Sequence, residues 1–280
     1  MKTATMNKGS RQVAGRRPRL LPGIGALGRC RVVGPDEPIG RLRDLYFDDQ
    51  SWTVRYLVVD RPPWPSFRRI LVSPISVVDI DVDRRRITTG LTRMQAEGCP
   101  SVEDDRPVSR QHEIDLAVYL GFPFYWRGGR RWGTAEAPAD LRGGQPPPHA
   151  EHVLDLALGD PHLRSMRALH GYAIQATDAE VGHVTDFLLE SDTGAMRYVV
   201  VGLHNWWPGS HRLIAVDWVV RVSWEGKLVQ VDVSSVATRE APAYRGAQSI
   251  DRAWEARLAA HYRRPGYWAG TAAERRPGVR

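Results

Sequence analysis

Few residues in this chain have the type and spacing that chemistry requires. His149 and His152 form an HxxH pair with His162 further along, a spacing that on a regular helix turns two imidazoles toward one metal ion. Pro146, Pro147 and Pro148 immediately before the pair oppose a rigid helix, and no third ligand stands at a telling distance, so no metal site is expected. Asp44 and Asp186 carry carboxylates, but a general acid needs a partner and none recurs beside them; a satisfied turn or strand-edge carboxylate is expected. Gly23, Gly25 and Gly28 resemble a phosphate loop only superficially, because no buried strand precedes them and no helix with Lys-Ser/Thr follows. Cys30 and Cys99 are far apart, without metal or redox spacing, and fit a reducing compartment. No serine elbow, CxxC or HExxH occurs. The expectation is a protein without catalytic, cofactor or metal residues, and not an enzyme.

Aromatic residues are the better lead. Trp64 precedes Pro65, and Trp206-Trp207 precede Pro208-Gly209, at what reads as a strand-to-strand connection. Tyr125-Trp126 and Tyr267-Trp268 end two short helical stretches. A loop tryptophan offers large contact area at little entropic cost, which makes all seven candidate interaction residues. The competing reading is architectural, with indoles capping a sheet or packing on the terminal helix.

These aromatics recur because the chain repeats itself at an offset of 142 residues. Ile39–Trp126 aligns without a gap on Val181–Trp268, with 18 identities in 88 positions, where composition alone gives about six. Gly40, Asp44, Arg55, Tyr56, Arg110, Glu113, Tyr125 and Trp126 fall on Gly182, Asp186, Arg197, Tyr198, Arg252, Glu255, Tyr267 and Trp268. Within each copy, Val54–Val59 and Met196–Val201 read as strands buried on both faces, each preceded by an acidic turn that predicts a hairpin. Val78, Ile80 and Val82 alternate with Asp79, Asp81 and Asp83, which predicts a half-buried strand; Val229, Val231 and Val233 do likewise. Ser109 and Asp251 are N-caps of a closing helix, with Glu113 and Glu255 near its positive end.

The expected fold is therefore mainly β, two tandem small antiparallel β-barrels each followed by a short helix. The domains are a disordered basic arm (1–19), a first repeat (20–126), a Gly/Pro/Arg-rich linker without its own core (127–161), a second repeat (162–268) and a tail (269–280). The terminal helices and aromatic knots are expected to join the two barrels, within one chain or between two chains, about a pseudo-twofold axis.

Composition restricts the function classes. Hydrophobic content of 42% and charged content of 25% are those of a globular protein. Net charge is +7, but residues 1–33 hold eight basic and no acidic residues, which leaves the remainder at −1. Nucleic acid is thus a partner only through the arm. Arg16-Arg17 before Leu20-Leu21 invites an export signal, but the apolar stretch is short and broken by Pro22, Gly23 and Gly25. No apolar run reaches 18 residues, so no transmembrane segment is expected.

The Ile39-Gly40 and Val181-Gly182 openings, Asp44 and Asp186, and the strands from Arg55 and Arg197 resemble the PRC-barrel family. That β-barrel is shared by the photosynthetic reaction-centre H subunit and a ribosome-maturation factor. The string from His170 to Asp178, the Asn205–Gly209 loop and the tails ending at Glu113 and Trp268 resemble bacterial proteins with two such barrels in tandem. The resemblance covers about residues 20–126 and 162–268 and implies an architecture more than an activity. Neither a membrane helix before the barrel, as in the H subunit, nor an N-terminal domain like that of the maturation factor is expected from this sequence. The expectation is a non-enzymatic binding or scaffolding protein in the cytoplasm, with unknown protein partners or a second copy as a homodimer. The alternatives are a peripheral component of a photosynthetic or electron-transfer membrane complex, and an RNA- or ribosome-associated factor.

Overall fold

The computed structural model describes residues 19–61, 68–102, 108–159, 162–203 and 211–269. Residues 1–18 of the arm, residues 270–280 of the tail, and Trp64, Trp206 and Trp207 lie outside them. The chain enters through β1 (Leu20–Pro22) and the one-turn helix α1 (Ile24–Leu27). Six strands follow: β2 (Arg31–Val33), β3 (Pro38–Asp48), β4 (Thr53–Arg61), β5 (Arg68–Val72), β6 (Val77–Asp81) and β7 (Arg86–Thr89). Helices α2 (Arg93–Gly98), α3 (Arg110–Leu120) and α4 (His152–Leu156) come next. After β8 (Leu163–Ser165) the strand series recurs as β9 (Ala173–Gln175), β10 (Glu180–Glu190), β11 (Met196–Leu203), β12 (His211–Ala215), β13 (Val219–Ser223) and β14 (Leu228–Val231). Helices α5 (Ser235–Glu240) and α6 (Arg252–His261) close the chain.

The protein is mainly β, with two sheets of the same order, β5-β4-β3-β2-β7-β6 and β12-β11-β10-β9-β14-β13. The sheets are mixed: most strand pairs are antiparallel, as expected, and β2–β7 and β9–β14 run parallel. From β5 the chain passes a 3-10 turn at Pro74–Ser76 and crosses to the free side of β2. The β6–β7 hairpin then lays β7 along β2 in the same direction. Alternation of apolar residues carries no information on strand direction, so this pairing had no signature.

Local chemistry explains most element boundaries. β4 is buried along nearly its whole length, as its apolar β-branched run requires. Ser109 and Asp251 cap α3 and α6, accepting from the His112 and Trp254 N–H groups at 3.2 and 2.7 Å. α2 and α5, which the sequence reading missed, are capped by Thr92 and Ser234. Gly40 and Gly182 stand where a Cβ would come within 2.2 Å of the Asp60 carbonyl oxygen and 2.1 Å of the Gly202 carbonyl oxygen. Only glycine permits that strand approach. The expected inward alternation in β6 is out of phase at its start: Val78 is 59% exposed and its counterpart Val220 53%. A register shift between Val77 and Asp79, repeated between Val219 and Arg221, slips the side-chain phase there.

Each sheet is completed by the other half of the chain. β1, ahead of the first sheet, pairs antiparallel with β10 of the second. β8, ahead of the second sheet, pairs antiparallel with β3 of the first. Between them the hairpin turns meet at an isolated bridge, Thr53 to Ala195. Around it the Val54 N–H donates to the Gly194 carbonyl at 2.9 Å, and the Met196 N–H to the Trp52 carbonyl at 2.8 Å. Thr53 and Ala195 are counterparts at the 142-residue offset, and so are the two flanking bonds, which puts a pseudo-twofold axis through this bridge. Trp52 stacks on Phe47 at 5.5 Å and reaches Phe187 of the other sheet at 6.4 Å. The buried residues of both sheets form one continuous apolar cluster.

Residues 127–159 pack against the rest of the protein. Trp132 is fully buried and donates from Nε1 to the Thr193 carbonyl at 2.7 Å. Leu141 and Pro138 are buried as well. Arg127 pairs with Asp155 at 2.6 Å, tying the post-helix turn to α4. A Gly/Pro-rich composition reads as linker when single residues such as Trp132 carry the packing. Among the described residues no helix is long and apolar enough to cross a membrane.

Candidate functional site

The duplicated aspartates lie at the joint between the halves. In β3 a bulge between Leu42 and Asp44, matched in β10 between Val184 and Asp186, turns each carboxylate toward the exchanged segment. Asp44 accepts from the Ser165 hydroxyl at 2.5 Å, the Leu45 N–H at 2.7 Å and the Arg167 N–H at 3.1 Å. Asp186 accepts from the Gly25 N–H at 3.3 Å. A Cβ on Gly23 or Gly25 would fall within 2.6 or 2.8 Å of its oxygens, which is why this stretch is glycine-rich. Burial pushes both carboxyls above the ordinary aspartate range, while those hydrogen bonds pull the other way. Both aspartates are satisfied acceptors that hold the exchanged segments.

A second duplicated constellation joins each terminal helix to its sheet. Glu113 of α3 is wholly buried and accepts from the Tyr125 hydroxyl and from Arg110 Nη1, each at 2.7 Å, and from Tyr56. Burial outweighs these donors and pushes its carboxyl up to about 7. Glu255 of α6 repeats the geometry, accepting from Tyr198 at 3.0 Å and pairing with Arg252 at 3.1 Å. Arg55, buried, and Arg197, half-buried, lie over the Tyr125 and Tyr267 rings at 4.3 and 4.1 Å. Arg110 and Arg252 lie 4.3 Å over Trp126 and Trp268. Stacking suits the weakly hydrated guanidinium, which keeps its in-plane donors while covering an aromatic face.

These contacts place four of the seven aromatic candidates. Tyr125 is buried, Trp126 is half-buried and donates to Asp155 at 2.8 Å, and Tyr267 packs against Tyr198. Trp268 is 38% exposed under Arg252. Each knot packs on its own half, and within the one chain it is the hairpins and exchanged strands, not the knots, that join the halves. In the first half the buried Glu113 needs the Tyr125 hydroxyl, which holds that knot against its own sheet. The roles of Glu113 and Glu255 as buried acceptors, rather than helix-end charges, were visible only as identities between the copies.

The remaining candidates do not assemble. His152 interacts with the Pro147 carbonyl at 2.9 Å and packs on Phe124. Among the described residues no three His, Cys, Asp or Glu converge on a point. Cys30 and Cys99 are buried and unbonded to each other; burial pushes the Cys99 thiol up to about 11, far from a reactive thiolate. Two concavities stand out. One of about 600 Å³ is mostly apolar and is lined by Leu27, Leu45, Val54, Leu57, Ile87 and Pro138. The other, of about 250 Å³, is polar and lies beside Arg55 and Arg110.

No curated protein matches the chain. Residues 165–237 run from the end of β8 through β9–β14 into α5. That segment matches the family model of the PRC-barrel domain.

Proposed function

We propose that the chain is a duplication of one PRC-barrel unit and works as a non-enzymatic protein-binding platform. Extension to the first half is supported by the identical strand order and by equivalent bulges, glycines and buried Arg-Tyr-Glu clusters. Reading each sheet as a barrel is supported by the bulges that coil β3 and β10 and by one apolar interior face. The polar residues kept in both copies are occupied with holding the fold, which leaves the surface to carry function.

The observation that carries the binding reading is an exposed apolar run on α4 and the turn after it. Val153, Leu154, Leu156 and Leu158 are 69, 70, 43 and 62% exposed. Such a concentration of aliphatic surface on five or six residues marks contact with another protein more than solvent-facing structure. Affinity capture should compare the full chain with a Val153→Asp/Leu154→Asp variant of unchanged circular dichroism. The reading expects specific partners to be lost from the variant; identical partner sets from both proteins would sink it.

A further inference from the structure

Beyond that reading, and at residues that include none of the exposed run on α4, we infer that the larger concavity binds an uncharged aliphatic small molecule. The concavity, of about 600 Å³, opens where the two halves meet, the kind of place and size that takes small-molecule ligands. Its floor is aliphatic, made by Leu45 of β3, Val54 and Leu57 of β4, Ile87 of β7 and Leu27 of α1. Residues 77–80 of β6 supply one side. Leu21 of β1 and residues 189–192 at the β10–β11 turn supply a second, and the stretch from 137 to 142 a third.

The hollow is built into the fold. Arg142 donates from Nε to the Ile75 carbonyl at 2.9 Å and from Nη2 to the Val77 carbonyl, and Arg19 donates from Nη2 to the Ile80 carbonyl at 2.8 Å. The second and third sides are thereby strutted against the outer backbone of β6, which fixes their spacing before any ligand arrives. The buried Pro138 stiffens the third side further. The same contacts decide the chemistry of the ligand. Arg19 and Arg142 direct donors to β6; Glu190, a buried carboxylate of the lining, accepts from Arg197 Nη2 and Thr193 Oγ1, each at 2.5 Å; Asp192 accepts from the Ser191 hydroxyl at 2.6 Å. An ionised group over the floor would lose its hydration with only Leu, Ile and Val side chains in exchange. An aliphatic body instead removes apolar surface from water on both partners. The floor residues are at most 4% exposed, so they lie beneath rims that a slender molecule passes and the surface of a folded partner does not.

The test titrates the full chain with the neutral fluorophore N-phenyl-1-naphthylamine and displaces it with 1-octanol, octanoate or octylammonium at fixed ionic strength. Saturable fluorophore binding is expected, with displacement by octanol at lower concentration than by either ion. Ala137→Trp sets an indole at a half-buried position of the rim, and Val78→Glu puts a carboxylate at a rim position that is 59% exposed. Each should weaken fluorophore and octanol binding by about tenfold or more without lowering the melting temperature. Leu154→Asp on α4 should bind as the wild type does, so that failure here and failure of the protein-binding reading are told apart. Absence of saturable binding, undiminished binding by both rim variants, loss of binding in Leu154→Asp, or tighter binding of either ion than of octanol overturns the proposal.

Discussion

Glu113 shows how a single buried residue couples the fold to pH. Its carboxyl is held at about 7 in the folded protein, mainly by burial, against an ordinary value of 4.5. Between those values the folded chain keeps a proton that the unfolded chain has released. Stability is therefore greatest below about 4.5 and declines as pH rises through about 7. Glutamine retains an acceptor for Tyr125 but cannot ionise. Melting curves of the wild type and Glu113→Gln from pH 5 to 8 should show the wild type losing stability relative to the variant as pH rises, by an amount on the order of a few kcal/mol. Parallel curves would mean that Arg110 and the two tyrosines hold the carboxylate ionised throughout. Asp44 and Asp186 illustrate the same cost of burial met differently, by backbone N–H groups from the other half.

Among the elements, β1 and β8 have the smallest size and the largest consequence. Each has three residues and covers a strand of the opposite sheet that would otherwise present unpaired backbone groups. Leu21 within β1 is 5% exposed, and the glycines just beyond it approach Asp186. Deleting residues 1–18 should leave the melting temperature nearly unchanged. Deleting residues 1–22 removes β1, and loss of Leu21 alone amounts to about 2–5 kcal/mol. Thermal unfolding of the two truncations side by side measures the difference, and equal melting temperatures would show that β1 contributes little. The segment after α3 is an element in the same sense: Trp132 anchors it to the other half through Thr193.

For the whole molecule, exchange of edge strands makes the two halves one cooperative structure. Each sheet borrows its seventh strand, the cores merge, and the pseudo-twofold bridge at Thr53 and Ala195 ties the hairpins. A cut at residue 145 should therefore yield fragments that are unstable or aggregated alone and that restore one folded species when mixed. Size-exclusion chromatography and circular dichroism check this; two fragments that each melt cooperatively as monomers would show independent domains. The intact chain should likewise unfold in a single transition with matching calorimetric and van't Hoff enthalpies.

The sequence by itself determined the repeating unit, its hairpins and its helix caps. These rest on local rules: β-branched runs, acidic turns, and Ser109 or Asp251 ahead of an amphipathic stretch act through neighbours in the chain. It also marked the residues that hold each unit together, since Asp44, Arg55, Tyr56, Arg110, Glu113 and Tyr125 all recur. What each one touches was decided by tertiary structure. Asp44 meets Ser165 across 121 residues, and Trp132 meets Thr193 across 61. The parallel β2–β7 pair, the exchange of β1 and β8, and the meeting of Arg130–Arg131 with Arg55 and Arg110 have no local signature. Contacts of that kind depend on which edges remain unpaired and which charges become buried after both sheets have formed. Periodicity along the chain carries neither quantity.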